Sequence, residues 1–171
     1  MTDNRPIPVR EIVAAAEPTG SRPAHAGERV GDSRAQPGAP RPRALVDGSN
    51  VAHAGEGQRA RLANILLVRD KLVEQGFDPI VVVDAALRHQ IDDSAGYERL
   101  VEEGQVKQAP AGTDADYFIL TFAKELEASI VSNDQFRDRS RQFAEVRKRV
   151  IRYMIVADEV VFEKRTAKRK G

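Results

Sequence analysis

The sequence has 171 residues, enough for one domain of ordinary size plus additional segments. Hydrophobic residues make up 41% and charged residues 31%, a balance typical of a soluble globular protein. Because cysteine is absent, disulfide bonds and cysteine-ligated zinc or iron–sulfur centres are excluded. No apolar run is long enough to span a membrane, and the N-terminus lacks the pattern of a signal peptide. We therefore expect a cytoplasmic protein without a membrane partner.

The net charge is only +1, so binding to a nucleic acid cannot be inferred from the total. Positive charge is instead concentrated in the C-terminal third. It lies at Arg137, Arg139, Arg141, Arg147, Lys148, Arg149 and Arg152, and in the tail from Lys164 to Lys170. A run of this kind is typical of a solvated helix face when nothing else supports a function.

Residues 1–42 contain seven of the nine prolines and no aromatic residue. Such a segment cannot bury enough apolar surface to offset the entropy of ordering it, so we predict a disordered tail. Whether a protein partner binds through this tail is left open, and so is whether the protein forms a homo-oligomer. The folded domain is predicted to cover residues 43–163, and residues 164–171 form a basic C-terminal tail.

Strands are predicted to alternate with helices along the domain. The expected strands are 43–47, 80–84, 104–109, 129–132 and 150–156, with 160–162 as an added edge strand. The expected helices are about 61–75, 96–103, 113–127 and 136–147, and a turn is expected at 77–79. This alternation indicates an α/β fold with a mainly parallel central sheet.

Acidic residues stand at the ends of three predicted strands: Asp47, Asp84 and Asp134. Right-handed crossovers place these strand ends at one edge of the sheet, where open α/β sheets bind their ligands. Considered alone, Asp47 followed by Gly48 could be a simple turn. Asp84 could cap the next turn, and whether it belongs to the site is left open.

Three further acids are expected to reach the same edge. Asp114 and Asp116 stand at the start of a predicted helix, and Asp138 lies one helical turn beyond Asp134. Considered singly, Asp114 is typical of a helix N-cap and Asp138 of a partner for a nearby arginine. Their combination with a strand-ending aspartate is much harder to explain by chance.

Crowded carboxylates repel one another unless cations neutralise them. Ligands that offer only oxygen favour Mg²⁺, with Mn²⁺ as the alternative. A metal ion held there can activate water and stabilise the charge on a phosphodiester, which is hydrolytic nuclease chemistry.

Competing chemistries find little support in the sequence. His25, His53 and His89 are far apart along the chain, so a histidine-based zinc site is not indicated. Neither a nucleophile elbow nor a dinucleotide-binding or P-loop motif follows the first strand.

Three segments carry a family resemblance: VDGSNVA at 46–52, DADYFILTFA at 114–123 and IVSNDQFRD at 130–138. In this order they resemble the NYN branch of the PIN-like ribonucleases, and most of all the Regnase-type domain of the CCCH zinc-finger endoribonucleases. The resemblance covers about residues 43–162. It implies a Rossmann-like three-layer α/β/α sandwich and a Mg²⁺-dependent endoribonuclease that prefers single-stranded RNA.

The resemblance also implies roles for individual residues. The metal-binding acids would be Asp47, Asp116, Asp134 and Asp138, and Asn50 would be a catalytic polar residue that holds Asp47, a water or a phosphate. The paired acids of the family are often adjacent, whereas Ala115 separates Asp114 from Asp116 here. Asp116 is aligned with the second acid, and Asp114 is then expected to be a helix cap.

The zinc finger of the eukaryotic relatives is absent, because the chain has no cysteine. RNA would then be bound through phosphate contacts from basic residues. The candidates are Arg88, Arg137, Arg139, Arg141 and the C-terminal tail.

The leading hypothesis is metal-assisted hydrolysis of RNA in RNA processing or decay. Asp47 and Asp134 would bind the metal directly, and Asp116 and Asp138 would bind it through water or orient the nucleophile. A tRNA precursor, another structured RNA or single-stranded DNA are alternative substrates. A non-catalytic RNA-binding module and a PIN-type toxin nuclease are the alternative functions.

Overall fold

The computed structural model describes residues 39–163, except 56, 58 and 140. Most of the predicted disordered tail (1–42) and all of the predicted basic tail (164–171) lie outside the described residues. Within the described part, no helix is long and apolar enough to cross a membrane.

Five parallel strands form the central sheet, in the order β3-β2-β1-β4-β5. The strands are β1 (Arg43–Asp47), β2 (Asp78–Val83), β3 (Val106–Gln108), β4 (Ser129–Val131) and β5 (Val150–Ile151). Because β1 lies in the middle, Val46 pairs with Val81 on one side and Val131 on the other. All five strands therefore end at the same edge, and Asp47 stands at its centre.

Helices connect these strands. The α-helices are α1 (Gly48–Ala52), α2 (Leu62–Glu74), α3 (Ser94–Glu102), α4 (Ala115–Glu125) and α5 (Ala144–Arg147), and 3₁₀ turns cover Ala85–His89 and Arg137–Arg139. Aspartates cap two of the three longer helices, α3 and α4. The carboxylate of Asp93 accepts from the Gly96 amide, and that of Asp114 accepts from the Tyr117 amide.

Both faces of the sheet are covered. Alternate residues of a strand point to opposite faces, and in β1 both Val46 on one face and Leu45 on the other are fully buried. Val46 belongs to a core shared with Ile65 of α2 and Tyr97 of α3. On the other side α4 packs near β1 and buries Phe122. The predicted three-layer α/β/α fold is thus confirmed.

Two sequence predictions are wrong in detail. The expected turn at 77–79 is the beginning of β2, where Asp78 pairs with Arg43. Pro79 fits there because β3 pairs only with Val81–Val83, so the proline ring meets no neighbour on that side. The expected helix 136–147 is not continuous: Phe136 is left-handed (φ 46°), a 3₁₀ turn covers Arg137–Arg139, and a short helix covers Ala144–Arg147.

The predicted fifth strand, 150–156, is also wrong as a single element. Only Val150–Ile151 joins the central sheet, whereas β6 (Tyr153–Val156) pairs antiparallel with β7 (Glu159–Phe162) in a separate hairpin. Ala157 and Asp158 both have positive φ, at 50° and 59°, which is the conformation of a two-residue type I′ turn. The predicted edge strand 160–162 therefore belongs to this hairpin.

Gly48 allows the chain to turn directly from β1 into α1. A Cβ atom at this position would stand 2.6 Å from Val83 Cγ1 and 3.0 Å from the Val82 carbonyl oxygen. Since these atoms belong to the buried part of β2, they have little room to move. The close approach places the residues after Asp47 against the end of the neighbouring strand.

We expect Gly48→Ala to lower the free energy of unfolding by about 1–3 kcal/mol, because the added methyl group overpacks the core. The helix propensity of alanine offsets only part of this loss. Urea denaturation measures the change. Ala63→Ser, at an exposed position of α2, is the control and should change stability by no more than about 0.5 kcal/mol. An equally small effect of Gly48→Ala would contradict the close-approach explanation.

Candidate active site

Asp47 is a buried carboxylate at the end of the central strand, with 6% of its surface exposed. The Ser132 hydroxyl, which follows β4, donates to its Oδ2 over 2.8 Å. The backbone amide of Asn50, in α1, donates to Oδ1 of Asp47 over 3.2 Å. Hydrogen bonds from two different elements thus fix the orientation of the carboxylate.

Burial raises the pKa of Asp47 to about 6, from an ordinary value of 3.8. The hydrogen bonds from Ser132 and Asn50 act in the opposite direction, since they stabilise the charged form. The negative charges of Asp116 and Asp134 raise the pKa further. Three carboxylates are therefore near enough to repel one another, and a bound cation would relieve this repulsion.

The side-chain amide of Asn50 is fixed by two donors to its oxygen. The Tyr153 hydroxyl donates to Asn50 Oδ1 over 2.8 Å, and the Asn133 backbone amide donates to the same atom over 3.0 Å. Asn133 also exchanges two hydrogen bonds with the Tyr153 backbone, through its Nδ2 (3.0 Å) and its Oδ1 (3.2 Å). Burial and the charge of Asp47 raise the pKa of Tyr153, so its hydroxyl stays a donor.

The loop after β4 that carries Asp134 is held from several sides. The backbone amide of Asp134 donates to Ser132 Oγ over 3.0 Å, and Oδ1 of Asp134 accepts from the Phe136 backbone amide over 2.8 Å. The Arg152 guanidinium donates to the carbonyl oxygens of Asp134 (2.6 Å) and Ser132 (3.2 Å). The side chain of Phe136 is buried and anchors the loop to the core.

Three of the four predicted metal-binding acids line one open cavity of about 600 Å³. Its lining residues are Asp114, Asp116, Asp134, Gln135, Phe136, Arg137, Asp138 and Arg139. Asp47, the fourth acid, is not part of the lining and lies buried close by. Asn50 lies outside this cavity, in the hydrogen-bond network that supports Asp47.

Charge repulsion also acts within the cavity. Partial burial raises the pKa of Asp116, and the charges of Asp134, Asp114 and Asp138 raise it further. Arg139 has the opposite effect on Asp116, but its ion pair is with Asp114. The ion pairs of Arg139 and Arg88 are with Asp114 and Glu98, neither of which is one of the four predicted ligands.

Asp114 and Asp84 have structural roles that explain their positions. Asp114 caps α4 and forms an ion pair with Arg139. The hydrogen bond from the Tyr117 backbone amide is the largest of the causes that lower the pKa of Asp114. Asp84 accepts from the Leu87 amide and so caps the 3₁₀ turn after β2. The expectation that Asp114 is a helix cap agrees with this geometry.

The four candidate RNA-binding arginines differ in position. Arg137 and Arg139 line the acidic cavity. The guanidinium of Arg139 also lies 5.5 Å from the centre of the Tyr117 ring. Arg88 is paired with Glu98 over 2.7 Å and, like Arg141, lies outside the cavity lining.

The donors in this cluster fit a hard divalent cation. They are carboxylate oxygens, and the net effect of their surroundings is to raise the pKa of Asp47 and of Asp116. In the described part of the chain, however, no three acidic or histidine side chains come close enough to share one metal ion. The arrangement therefore fits an ion bound by one or two carboxylates that keeps several waters, as Mg²⁺ commonly does.

Four supporting residues were not selected from the sequence as parts of the site: Ser132, Asn133, Arg152 and Tyr153. Ser132 and Asn133 directly precede Asp134, and a short polar run after a buried strand is a signal that could have identified them. Tyr153 and Arg152 had no such signal, because their contacts depend on the break between β5 and β6.

The sequence belongs to a known family. A family profile described as the Zc3h12a-like Ribonuclease NYN domain matches residues 40–171. The chain is therefore a member of this family of NYN-domain ribonucleases. Comparison with curated proteins gives no match.

Similar folds occur in two solved structures of the nuclear protein-only RNase P 2 (PRORP2) of Arabidopsis thaliana. Their TM-scores are 0.58 and 0.57, and each shares 20% sequence identity with this chain. Each match covers 70% of this chain but only 29% of the plant protein, so the chain corresponds to less than a third of its length. At this identity the similarity establishes the fold alone.

The raised pKa of Asp47 predicts how stability depends on pH without divalent metal. The charged carboxylate is disfavoured in the fold, so the contribution of Asp47 to stability is greatest below about pH 4 and is lost as the pH rises through about 6. A shift of about two units corresponds to roughly 3 kcal/mol. In Asp47→Asn this contribution is absent.

Urea denaturation in EDTA between about pH 4 and 8 measures this effect as the difference between the variant and the wild type. We expect the Asp47→Asn protein to become increasingly stable relative to the wild type as the pH rises. A stability difference that does not change with pH would contradict the buried-carboxylate explanation.

Proposed function

We propose that the protein is a Mg²⁺-dependent endoribonuclease that hydrolyses phosphodiester bonds of single-stranded RNA, with Mn²⁺ as an alternative cofactor. RNA processing or decay is the proposed setting. The observation that carries this proposal is the buried carboxylate of Asp47, whose pKa is raised beside two further carboxylates. Membership of a ribonuclease family gives the class of reaction.

Asp47 and Asp134 are the proposed direct ligands of the metal ion. Both carboxylates are held by backbone or hydroxyl donors, so each is oriented before the ion binds. When bound, Mg²⁺ supplies charge neutralisation at the phosphodiester and activation of water. These neutral donors stabilise the charged carboxylates, but they do not neutralise the charge as a bound cation would.

Asp116 and Asp138 are proposed to act through water. Both line the open cavity, where a water molecule and a phosphodiester have room to approach. A carboxylate there can orient the attacking water in line with the phosphorus–oxygen bond that breaks. Asp116 is the better placed for this role. Among its charged neighbours, Asp134 has the largest effect on its pKa.

Asn50 is proposed to hold the RNA phosphate or the attacking water through its Nδ2 donor. Its oxygen is already occupied by Tyr153 and Asn133, which leaves the amide nitrogen as the group that can face the substrate. A donor fixed in this way costs no reorganisation when negative charge develops on the phosphate.

Arg137 and Arg139 are proposed to bind the RNA backbone beside the cavity. Both are on its wall, and a guanidinium presents several donors to a phosphate. Arg88, Arg141 and the C-terminal basic tail remain predicted contacts for more distant phosphates.

Asp47→Asn should remain folded but lose at least about a hundredfold in cleavage rate, since a neutral amide binds Mg²⁺ poorly. A fluorescently labelled single-stranded RNA and a circular dichroism spectrum measure activity and folding. Asp158→Asn is the control: Asp158 lies in the exposed hairpin turn, and asparagine tolerates its positive φ. Equal loss in both variants, or in neither, would contradict the assignment.

Removal of divalent metal distinguishes the nuclease from a non-catalytic RNA-binding module. EDTA should abolish RNA cleavage, and added Mg²⁺ should restore it. RNA binding by the Asp47→Asn protein, measured by fluorescence anisotropy, should persist in EDTA if the arginines supply much of the affinity. Specific RNA binding without any cleavage by the wild type in Mg²⁺ would favour the binding module instead.

A further inference from the structure

A second cavity, of about 500 Å³, is lined in part by Asn50 and Asn133 and by none of the predicted metal-binding acids. It is formed where α1 and the residues after it meet β6 of the hairpin. Its lining residues are Ser49, Asn50, His53, Ala54, Gly55, Asn133, Tyr153, Met154 and Ile155. Asn50 and Asn133 stand directly beside Asp47 and Asp134 in the hydrogen-bond network, so the cavity adjoins the proposed cleavage site.

The lining of this cavity differs from that of the acidic cavity in its chemistry. Among the described residues that line it, none is an aspartate, glutamate, lysine or arginine. Those residues offer a metal ion no carboxylate and a phosphate no fixed positive charge. The cavity therefore suits an uncharged group with polar edges, and its volume is within the range of ordinary small-ligand sites.

Several polar groups of the lining are free to bind such a group. Asn50 Nδ2 has no hydrogen-bond partner among the described residues, while its oxygen accepts two bonds. Ser49 Oγ accepts from the Asp84 amide over 3.0 Å, which leaves its hydroxyl hydrogen available. His53 Nδ1 contacts the Ser49 carbonyl oxygen over 2.8 Å, which leaves Nε2 available.

The same lining offers flat and apolar surface. The imidazole of His53 is exposed, and its contact with Ser49 limits its rotation. Met154 is 62% exposed, so its side chain is accessible to a ligand. A polarisable thioether and an imidazole ring both pack well against an aromatic base.

We propose that this cavity binds one base of the RNA strand, at a nucleotide next to the cleaved phosphodiester. This inference rests on the proposed function, because it names how the same site selects single-stranded RNA. The base stacks against His53 and Met154, and the Ser49 hydroxyl donates to a carbonyl oxygen on its edge, while Asn50 Nδ2 holds the adjoining phosphate. A base must leave a duplex to enter, which explains a preference for unpaired RNA.

Abasic substitution tests the proposal on a short single-stranded RNA whose cleavage position has been mapped with the wild type in Mg²⁺. One nucleotide at a time is replaced by an abasic ribose on either side of the cleaved bond. At a single flanking position, kcat/KM should fall about tenfold, within the range lost with one stacked base. Equal sensitivity at all positions would overturn the proposal.

The double variant His53→Ala/Met154→Ala links that position to the cavity. It should cleave the intact RNA about tenfold more slowly and should no longer respond to the abasic substitution. The control is Val156→Ala, which changes an equally exposed residue of β6 outside the cavity lining. It should keep the rate and the abasic response of the wild type. Unchanged abasic sensitivity in the double variant would overturn the proposal.

Binding measurements separate failure of this inference from failure of the proposed function. The Asp47→Asn protein is mixed with the intact RNA and with the set of abasic RNAs, and anisotropy gives each Kd. The subsite predicts about tenfold weaker binding at one position only, and loss of that difference when His53 and Met154 are also replaced. A wild type that does not cleave RNA would refute the proposed function, while these Kd values would still decide on the subsite.

Discussion

The hydrogen bond between the Ser132 hydroxyl and the Asp47 carboxylate is the contact on which the rest of the site depends. It joins the ends of two neighbouring parallel strands, and Ser132 also accepts from the Asp134 amide. Through Ser132, the loop that carries Asp134 is thus tied to Asp47 at the end of the sheet. Because Gly48 lets α1 begin directly against β2, the same strand end also presents Asn50.

The fold could be predicted from the sequence because its signals are local. Short Val- and Ile-rich runs separated by helices indicate a parallel sheet, and a parallel sheet places its strand ends together. The turn expected at Pro79 was wrong because the effect of a proline depends on whether a neighbouring strand pairs there. The hairpin was missed since its turn, Ala157-Asp158, has no glycine or asparagine to mark it.

The acids of the site and Asn50 were accessible to sequence reasoning, whereas the supporting residues Arg152 and Tyr153 were not. Carboxylates that follow buried strands form a recognisable pattern, and the family motifs contain them. Tyr153 is 103 residues away from its hydrogen-bond partner Asn50, and nothing in the intervening sequence connects the two. One part of the site is a cluster of carboxylates that repel one another, and the other is a neutral part formed with the hairpin. Only the carboxylates can be recognised from the sequence pattern.

The hairpin contact has a consequence for synthesis of the chain. Asp47, Asp116 and Asp134 are all made before Tyr153, and the five strands of the central sheet pair without β6. The Asn50 side chain receives both of its fixing donors only when Tyr153 is present to orient Asn133 and donate its hydroxyl. A nascent chain can therefore fix the Asn50 side chain only after Tyr153 has been made, whereas pairing of the central strands needs no part of the hairpin.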